Sequence, residues 1–207
     1  PDAPDDKATI RKCIAVIADA SNELRELVDN LLDMAKIGAG SLSVAPASTR
    51  LAPLAYAAVE RIRTRGTLHR FAITVPASLP AVRADAHRIE QVLYNLLDNA
   101  IKYSPEGGRI AVRAEAGEEG VVVSVLDEGL GIQADELLSV FERFHRGSTA
   151  RTRGIAGTGL GLAICRGIVE AHGGRIWAES PPVRPGQARG TAIRFTIPVA
   201  GPAGGGA

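Results

Sequence analysis

A chain of 207 residues has room for one domain of ordinary size and something more. With 45% hydrophobic and 23% charged residues it reads as globular. No apolar run nears the roughly 20 residues of a membrane helix and no signal peptide opens it, so a cytoplasmic placement is expected. The net charge of +1, without basic runs interleaved with aromatics, argues against a nucleic-acid partner.

After a polar tail, Lys7 to Ile37 is predicted to be one long helix. Ile10, Ile14, Ile17, Ser21, Leu24, Val28, Leu31 and Ala35 alternate steps of four and three, a heptad seam. At about 1.5 Å per residue it runs over about 40 Å, more than a compact domain of this size covers, so half of a helical hairpin is expected. Gly38 and Gly40 end it, and residues 41–50 are expected to be a linker between a helical segment (1–40) and a domain over 51–200, with a flexible tail at 201–207.

A second helix is predicted from Leu51 to about Gly66, then strands at Phe71 to Val75 and Ala81 to Ala84. Arg88 to Tyr103 is predicted to be a helix with Ile89, Val92, Leu93, Leu96, Leu97, Ala100 and Ile101 on a core face. Asn95 and Asn99, four apart, and Lys102 form a polar stripe that core packing does not require. Amide oxygens and an ammonium in that pattern suit a hydrated divalent cation and its phosphates; a solvent edge that happens to hold two amides is the alternative.

Arg109 to Ala116 and Val121 to Asp127 are predicted to form an antiparallel hairpin. The long connection that follows contains a short helix near Asp135 to Phe141 and an aperiodic Arg/Ser/Thr/Gly stretch, the composition of a lid. A helix from Leu160 to His172 and strands at Ile176 to Glu179 and Ala192 to Ile197 complete an α/β layer structure preceded by one long helix.

Three glycine-bearing segments join the Asn helix. In Asp127-Glu-Gly129-Leu-Gly131 a carboxylate at a strand end meets glycines that let a flat ligand approach, and it suits an exocyclic amine such as adenine N6; such a string by itself also makes an ordinary turn. Gly157-Thr158-Gly159-Leu160-Gly161 runs into a helix and frees N–H groups for an anion, phosphate above all, without P-loop or dinucleotide spacing. Thr191 could reach the base region or be a plain strand threonine. Between them, Phe141 and Phe144 read as packing residues and Arg146 as a phosphate candidate. Cys13 and Cys165 lie on different predicted helices and are expected to be buried reduced thiols, and His69, His87, His145 and His172 are too scattered for a zinc site.

In order, NLLDNAIKY, DEGLGI, FERFHR and GTGLGLAI resemble the N, G1, F and G2 boxes of sensor histidine kinases, the bacterial two-component enzymes with the Bergerat ATP-binding fold. The likeness covers about Leu79 to Pro198. NLLDMAKIGAG resembles the second helix of their dimerisation and phosphotransfer hairpin, and GLGLAICRGIVEAHGG looks like the potassium-sensing branch. The resemblance implies a two-layer α/β sandwich, a mixed sheet with helices on one face. It implies Asn99, with Asn95, on Mg²⁺; Lys102 and Arg146 on the phosphates of ATP; Tyr103 against the nucleotide; Asp127 on adenine N6 with Thr191 assisting; and Gly129, Gly131, Gly157, Thr158, Gly159, Leu160 and Gly161 shaping pocket and lid. Asn95, Lys102 and Arg146 would carry the catalysis. Gyrase and heat-shock chaperones have a water-activating glutamate where Asn95 stands, so slow hydrolysis and phosphoryl transfer are expected.

The family's acceptor histidine, followed by an acidic residue and then a proline, is matched by none of the four histidines. The chain is therefore expected to be a fragment beginning after the acceptor helix. It would bind ATP without phosphorylating itself, and could serve an acceptor helix supplied in trans. A response regulator receiver domain and, through the first helix, a homodimer are the implied partners, and the parent could be membrane-anchored. A nucleotide-responsive interaction module without phosphotransfer is the alternative, and an anti-sigma type serine kinase is disfavoured by the heptad helix.

Overall fold

The computed structural model describes residues 6–148, 152–155, 157–180 and 190–201. The elements follow in the order α1 (Asp6–Gly38), β1 (Ala47–Thr49), α2 (Leu51–Arg63), β2 (His69–Thr74), β3 (Val82–Ala84) and α3 (Ala86–Lys102). Then come β4 (Gly108–Gly117), β5 (Gly120–Asp127), a 3-10 turn (Ser139–Phe141), α4 (Gly161–Ala171), β6 (Ile176–Glu179) and β7 (Thr191–Ile197). The Pro/Gly-rich stretch 181–189 between the last two predicted strands and the tail after Gly201 lie outside the described residues.

Five strands form one mixed sheet in the order β2-β4-β5-β7-β6, parallel between β2 and β4 and antiparallel elsewhere. The predicted hairpin is present, with Ile110 opposite Asp127 and Gly117 opposite Gly120. Strand periodicity decides which layer each side chain joins. Val121, Val123 and Val125 share the helix-covered core with Ile193, Phe195 and Ile197, so Asp127 and Thr191, which keep their parity, face the helices too. The other face carries a cross-strand row of Ala72, Ala111, Leu126 and Ala192. Helices α2, α3 and α4 bury Ile62, Ile89, Leu93, Leu97, Ile164 and Ile168 in that core. This is the expected two-layer sandwich.

Three details differ from the expectation. Residues 47–49, read as linker, form β1 and pair with β3, and Ala45 N–H donates to Asp85 Oδ2 at 3.1 Å. Their small side chains show no period; backbone pairing, with the Thr49 hydroxyl donating to the Ala84 carbonyl at 2.9 Å, makes the strand. The helix expected near Asp135 is reduced to the 3-10 turn, and the Glu136 carboxylate accepts from Ser148 N–H at 2.7 Å. Cys13 is exposed while Cys165 is buried, since most of α1 has nothing packed over it.

Among the described residues, α1 touches the sandwich through its last turns. Ile10, Ile14, Ile17, Leu24, Val28 and Leu31 of the seam are exposed, whereas Met34 and Asp33 are buried. Asp33 accepts from Arg88 Nη1 at 3.0 Å with both oxygens and from Gln91 Nε2 at 2.7 Å. A Cβ on Gly167 of α4 would meet Ile37 at 2.5 Å, so glycine there allows the two helices to approach. No described helix is long and apolar enough to cross a membrane.

Asp85 caps α3. Its carboxylate accepts from Arg88 N–H at 3.2 Å, and its own N–H donates to Nε2 of His172, whose Nδ1–H donates to the Ile168 carbonyl at 2.8 Å. Partial burial pushes the Asp85 carboxyl up, but the amides of Ala45, Arg88 and His87 and the His172 ring outweigh it and hold the group below its usual value. Asp85→Ala is expected to lose about 1–2 kcal/mol in urea denaturation at neutral pH. Because the folded value is depressed, this contribution is present above the unfolded value of 3.8 and fades as the pH falls through the folded one.

Candidate nucleotide site

A cavity of about 480 Å³ opens between α3, the end of β5 and the loop entering α4. Its lining brings together Asn95, Asn99, Lys102, Tyr103, Asp127, Gly131, Arg146, Gly157, Thr158, Gly159, Gly161 and Thr191, from five segments up to 96 positions apart. Two candidates lie outside the lining. Leu160 is buried with its side chain in the core, so only its backbone serves the loop. Gly129 sits under Tyr103, where a Cβ would collide with the Tyr103 carbonyl and meet Ser104 Oγ at 2.5 Å.

Asp127 stands at one end. It is 6% exposed, and its Oδ1 accepts from Gly129 N–H at 2.8 Å. Burial pushes its carboxyl up to about 6 against the lowering effect of backbone amide hydrogen bonds from Gly129 and Thr191. Val125, Ile132, Val140, Leu162 and Ile193 add apolar wall. A buried acceptor in an apolar slot selects a flat ligand with an exocyclic amine.

The α3 wall is polar. Asn95 and Asn99 stand one turn apart. The Asn95 amide nitrogen is buried with no hydrogen-bond partner among the described residues. Behind it the Cys165 thiol is pushed up to about 12 by burial, partly offset by the Asn95 amide, so it stays a neutral packing group. Lys102 Nζ pairs with Asp98 Oδ2 at 2.5 Å. Burial raises the Tyr103 hydroxyl, with Arg146 and Lys102 pulling it down.

The glycines of the second loop divide by role. Gly159 has φ +71°, its carbonyl accepts from Phe144 N–H at 2.9 Å, and it has Phe144 and the His145 carbonyl where a Cβ would stand. Phe144 itself has φ +61° and is exposed. Gly157 and Gly161 have nothing within 4 Å of a built Cβ, so glycine there keeps ligand space open. The Thr158 hydroxyl accepts from Leu160 N–H at 3.3 Å, and Arg146 Nη2 donates to the Ile155 carbonyl at 2.5 Å, tying the loop together. An apolar slot with a carboxylate, two amides, a lysine, an arginine and an open glycine-lined helix start fits ATP. The two amides suit Mg²⁺ only with phosphates completing its shell, as that ion prefers.

Arg65, Tyr94 and Asp98 also line the cavity, as do Leu27 and Asn30 of α1. Sequence reading passed over them: none lies in a glycine-rich segment, and helical spacing places Tyr94 and Asp98 beside the asparagines without saying that Arg65 joins them.

Residues 84–201 match the family described as histidine kinase-, DNA gyrase B- and HSP90-like ATPase. Sensor histidine kinase WalK of Bacillus subtilis is 48% identical over 119 residues, which are 56% of this chain and 19% of WalK. Sensor protein KdpD of Clostridium acetobutylicum is 38% identical over 175 residues, 84% of this chain and 19% of KdpD. The chain thus spans about a fifth of either relative. Among solved structures, the mycobacterial sensor histidine kinase MprB matches with a TM-score of 0.64 and 34% identity, over 76% of this chain and 98% of that one. Full-length ShkA in complex with AMPPNP matches with a TM-score of 0.76 and 27% identity, over 93% and 40%. Histidine kinase ThkA in complex with response regulator protein TrrA matches at 0.67 and 28%, over 97% and 53%. The sheet order, the placement of all four motif segments around one cavity and these likenesses agree: the chain belongs to the histidine kinase-, gyrase B- and HSP90-like ATPase family, as the ATP-binding catalytic domain of a sensor histidine kinase.

Proposed function

We propose that the chain holds ATP with its adenine amine on Asp127 and its phosphates between α3 and the second glycine loop, and transfers the γ-phosphoryl to a histidine on an acceptor helix other than α1. The bond from the γ-phosphorus to the β–γ bridging oxygen breaks, a bond to an imidazole nitrogen forms, ADP leaves and the imidazole proton passes to solvent. Bound Mg²⁺, held by Asn99 and Asn95, would neutralise charge shared by the phosphates. Lys102 and Arg146 orient the phosphoryl group and stabilise its charge, while Asn95, an amide where hydrolytic relatives have a carboxylate, cannot take a proton from water. The observation that carries this reading is the buried Asp127 carboxylate in an apolar slot that shares one cavity with Asn95, Asn99, Lys102 and the open second glycine loop.

The acceptor is assigned elsewhere because α1 contains no histidine and three of the four imidazoles serve the fold: His69 meets the Ser104 carbonyl, His145 the Ser139 hydroxyl, and His172 links α4 to the α3 cap. The phosphoryl group then goes to an aspartate of a receiver domain, a partner of the kind ThkA was solved with. The segment through residue 40 serves as one helix of a dimerising hairpin, its exposed seam the contact surface, and residues 51–200 serve catalysis.

Titration with an ATP analogue, with and without Mg²⁺, is expected to show binding that Mg²⁺ strengthens. Asn99→Ala should cut affinity about 10-fold or more in Mg²⁺ and much less without it. Radiolabel from γ-labelled ATP should appear on a supplied acceptor helix and depend on Asn95 and Lys102. A folded sample that binds no nucleotide would refute the reading.

A further inference from the structure

Arg65 lies outside every motif segment, in the turn after α2, yet its guanidinium reaches across to α3. Nη1 donates to the Tyr94 hydroxyl at 2.8 Å and stands 3.2 Å from Asp98 Oδ1. The other oxygen of Asp98 holds Lys102 Nζ at 2.5 Å. Tyr94, Asp98 and Lys102 are spaced by four, so they form one ridge of α3 beside the Asn95–Asn99 ridge. One turn back on α2, Arg61 places its guanidinium 4.4 Å from the Tyr94 ring centroid, backing the tyrosine that positions Arg65.

One carboxylate therefore clamps two cations. The Asp98 side chain is 15% exposed, whereas Arg65 and Lys102 are 43% and 37% exposed, so the anion lies beneath and both cations reach solvent. The three groups together carry a surplus positive charge on the wall that also bears Asn99. Half-exposed pairs of this kind contribute little to stability, which leaves the field they make as their main effect. A planar guanidinium beside an ammonium matches a group with several anionic oxygens, and a terminal phosphate is the one part of the proposed ligand with that character.

We propose that Arg65 is a phosphate-binding residue of this site, set by Asp98 and Tyr94 in one fork with Lys102 that faces the terminal phosphates of the nucleotide. The assignment rests on the nucleotide reading above and adds a residue from outside the four boxes.

The test is titration of adenosine, ADP and ATP with Mg²⁺ against the wild-type chain, Arg65→Gln and Arg65→Lys, with thermal melting of each. Arg65→Gln should melt near wild type, bind adenosine unchanged and bind ATP about 10-fold more weakly, with Arg65→Lys recovering part of the loss. Equal ATP affinity in wild type and Arg65→Gln overturns the assignment alone. So does a loss of equal size for adenosine and ATP, which would mark a structural role. A folded wild type that binds none of the three overturns this assignment and the nucleotide reading together. Should Arg65→Gln fail to fold, Arg65→Lys decides: ATP affinity reduced with adenosine affinity kept supports the fork, and both unchanged overturns it.

Discussion

Asp127→Asn is expected to lower adenosine and ATP affinity on the order of 100-fold while making the ligand-free chain more stable at neutral pH. Gly129 N–H fixes the oxygen end of the side chain, so the amide of an asparagine would meet the base amine donor to donor. The gain in stability follows from the raised pKa. A carboxyl at 3.8 when unfolded and about 6 when folded favours the protonated form in the native state. Its contribution is fully present below the unfolded value and is lost as the pH rises through the folded one, leaving a penalty of up to about 3 kcal/mol above it. Urea denaturation at about pH 4 and about pH 8 separates the effects: the variant should gain on wild type only at the higher pH. Binding should show the opposite slope. An ionised carboxylate is the better acceptor for an amine, so wild-type affinity for adenosine, which has no phosphate to titrate, should rise through about pH 6. Equal adenosine affinity in wild type and variant would remove Asp127 from the base site.

Two glycine substitutions should separate ligand space from structural space. A methyl at Gly161 meets no atom within 4 Å in the free chain, and Gly161 lines the cavity. Gly161→Ala should therefore keep or slightly raise stability, by up to about 0.5 kcal/mol, while ATP affinity falls about 10-fold or more as the methyl occupies phosphate space. A methyl at Gly129 would strike the Tyr103 carbonyl and the Ser104 hydroxyl, joining the end of α3 to the end of β5. Gly129→Ala should cost about 1–3 kcal/mol by displacing backbone, and affinity falls with it because Asp127 and Tyr103 shift together. Melting temperature and ATP titration on both variants check this. A stable, non-binding Gly129→Ala would mean that its carbonyl contact yields cheaply and that the backbone there serves the ligand instead.

Much of the site was legible because each of its motifs is local. Periodicity along residues 88–103 marked a buried face and set Asn95, Asn99 and Lys102 beside it, and α3 has that arrangement. Alternation along 121–127 implied that Asp127 ends a strand in register with its valines, which places it under the helices. Leu160 begins the predicted helix and caps it in the fold, but that its side chain completes the core depends on packing between layers, which no local pattern records.

The sequence by itself determined the helices, most strands, the order of the four motifs and the unburied seam of α1, since these follow from spacing within short windows. Only the tertiary structure decided that β2 runs parallel beside β4, that residues 47–49 join β3, that Asp33 reaches Arg88 and that Arg65 enters the cavity. Those partners are 29 to 55 positions apart. Their meeting depends on how finished layers pack, and no local period records which backbone edge or which charge will come opposite.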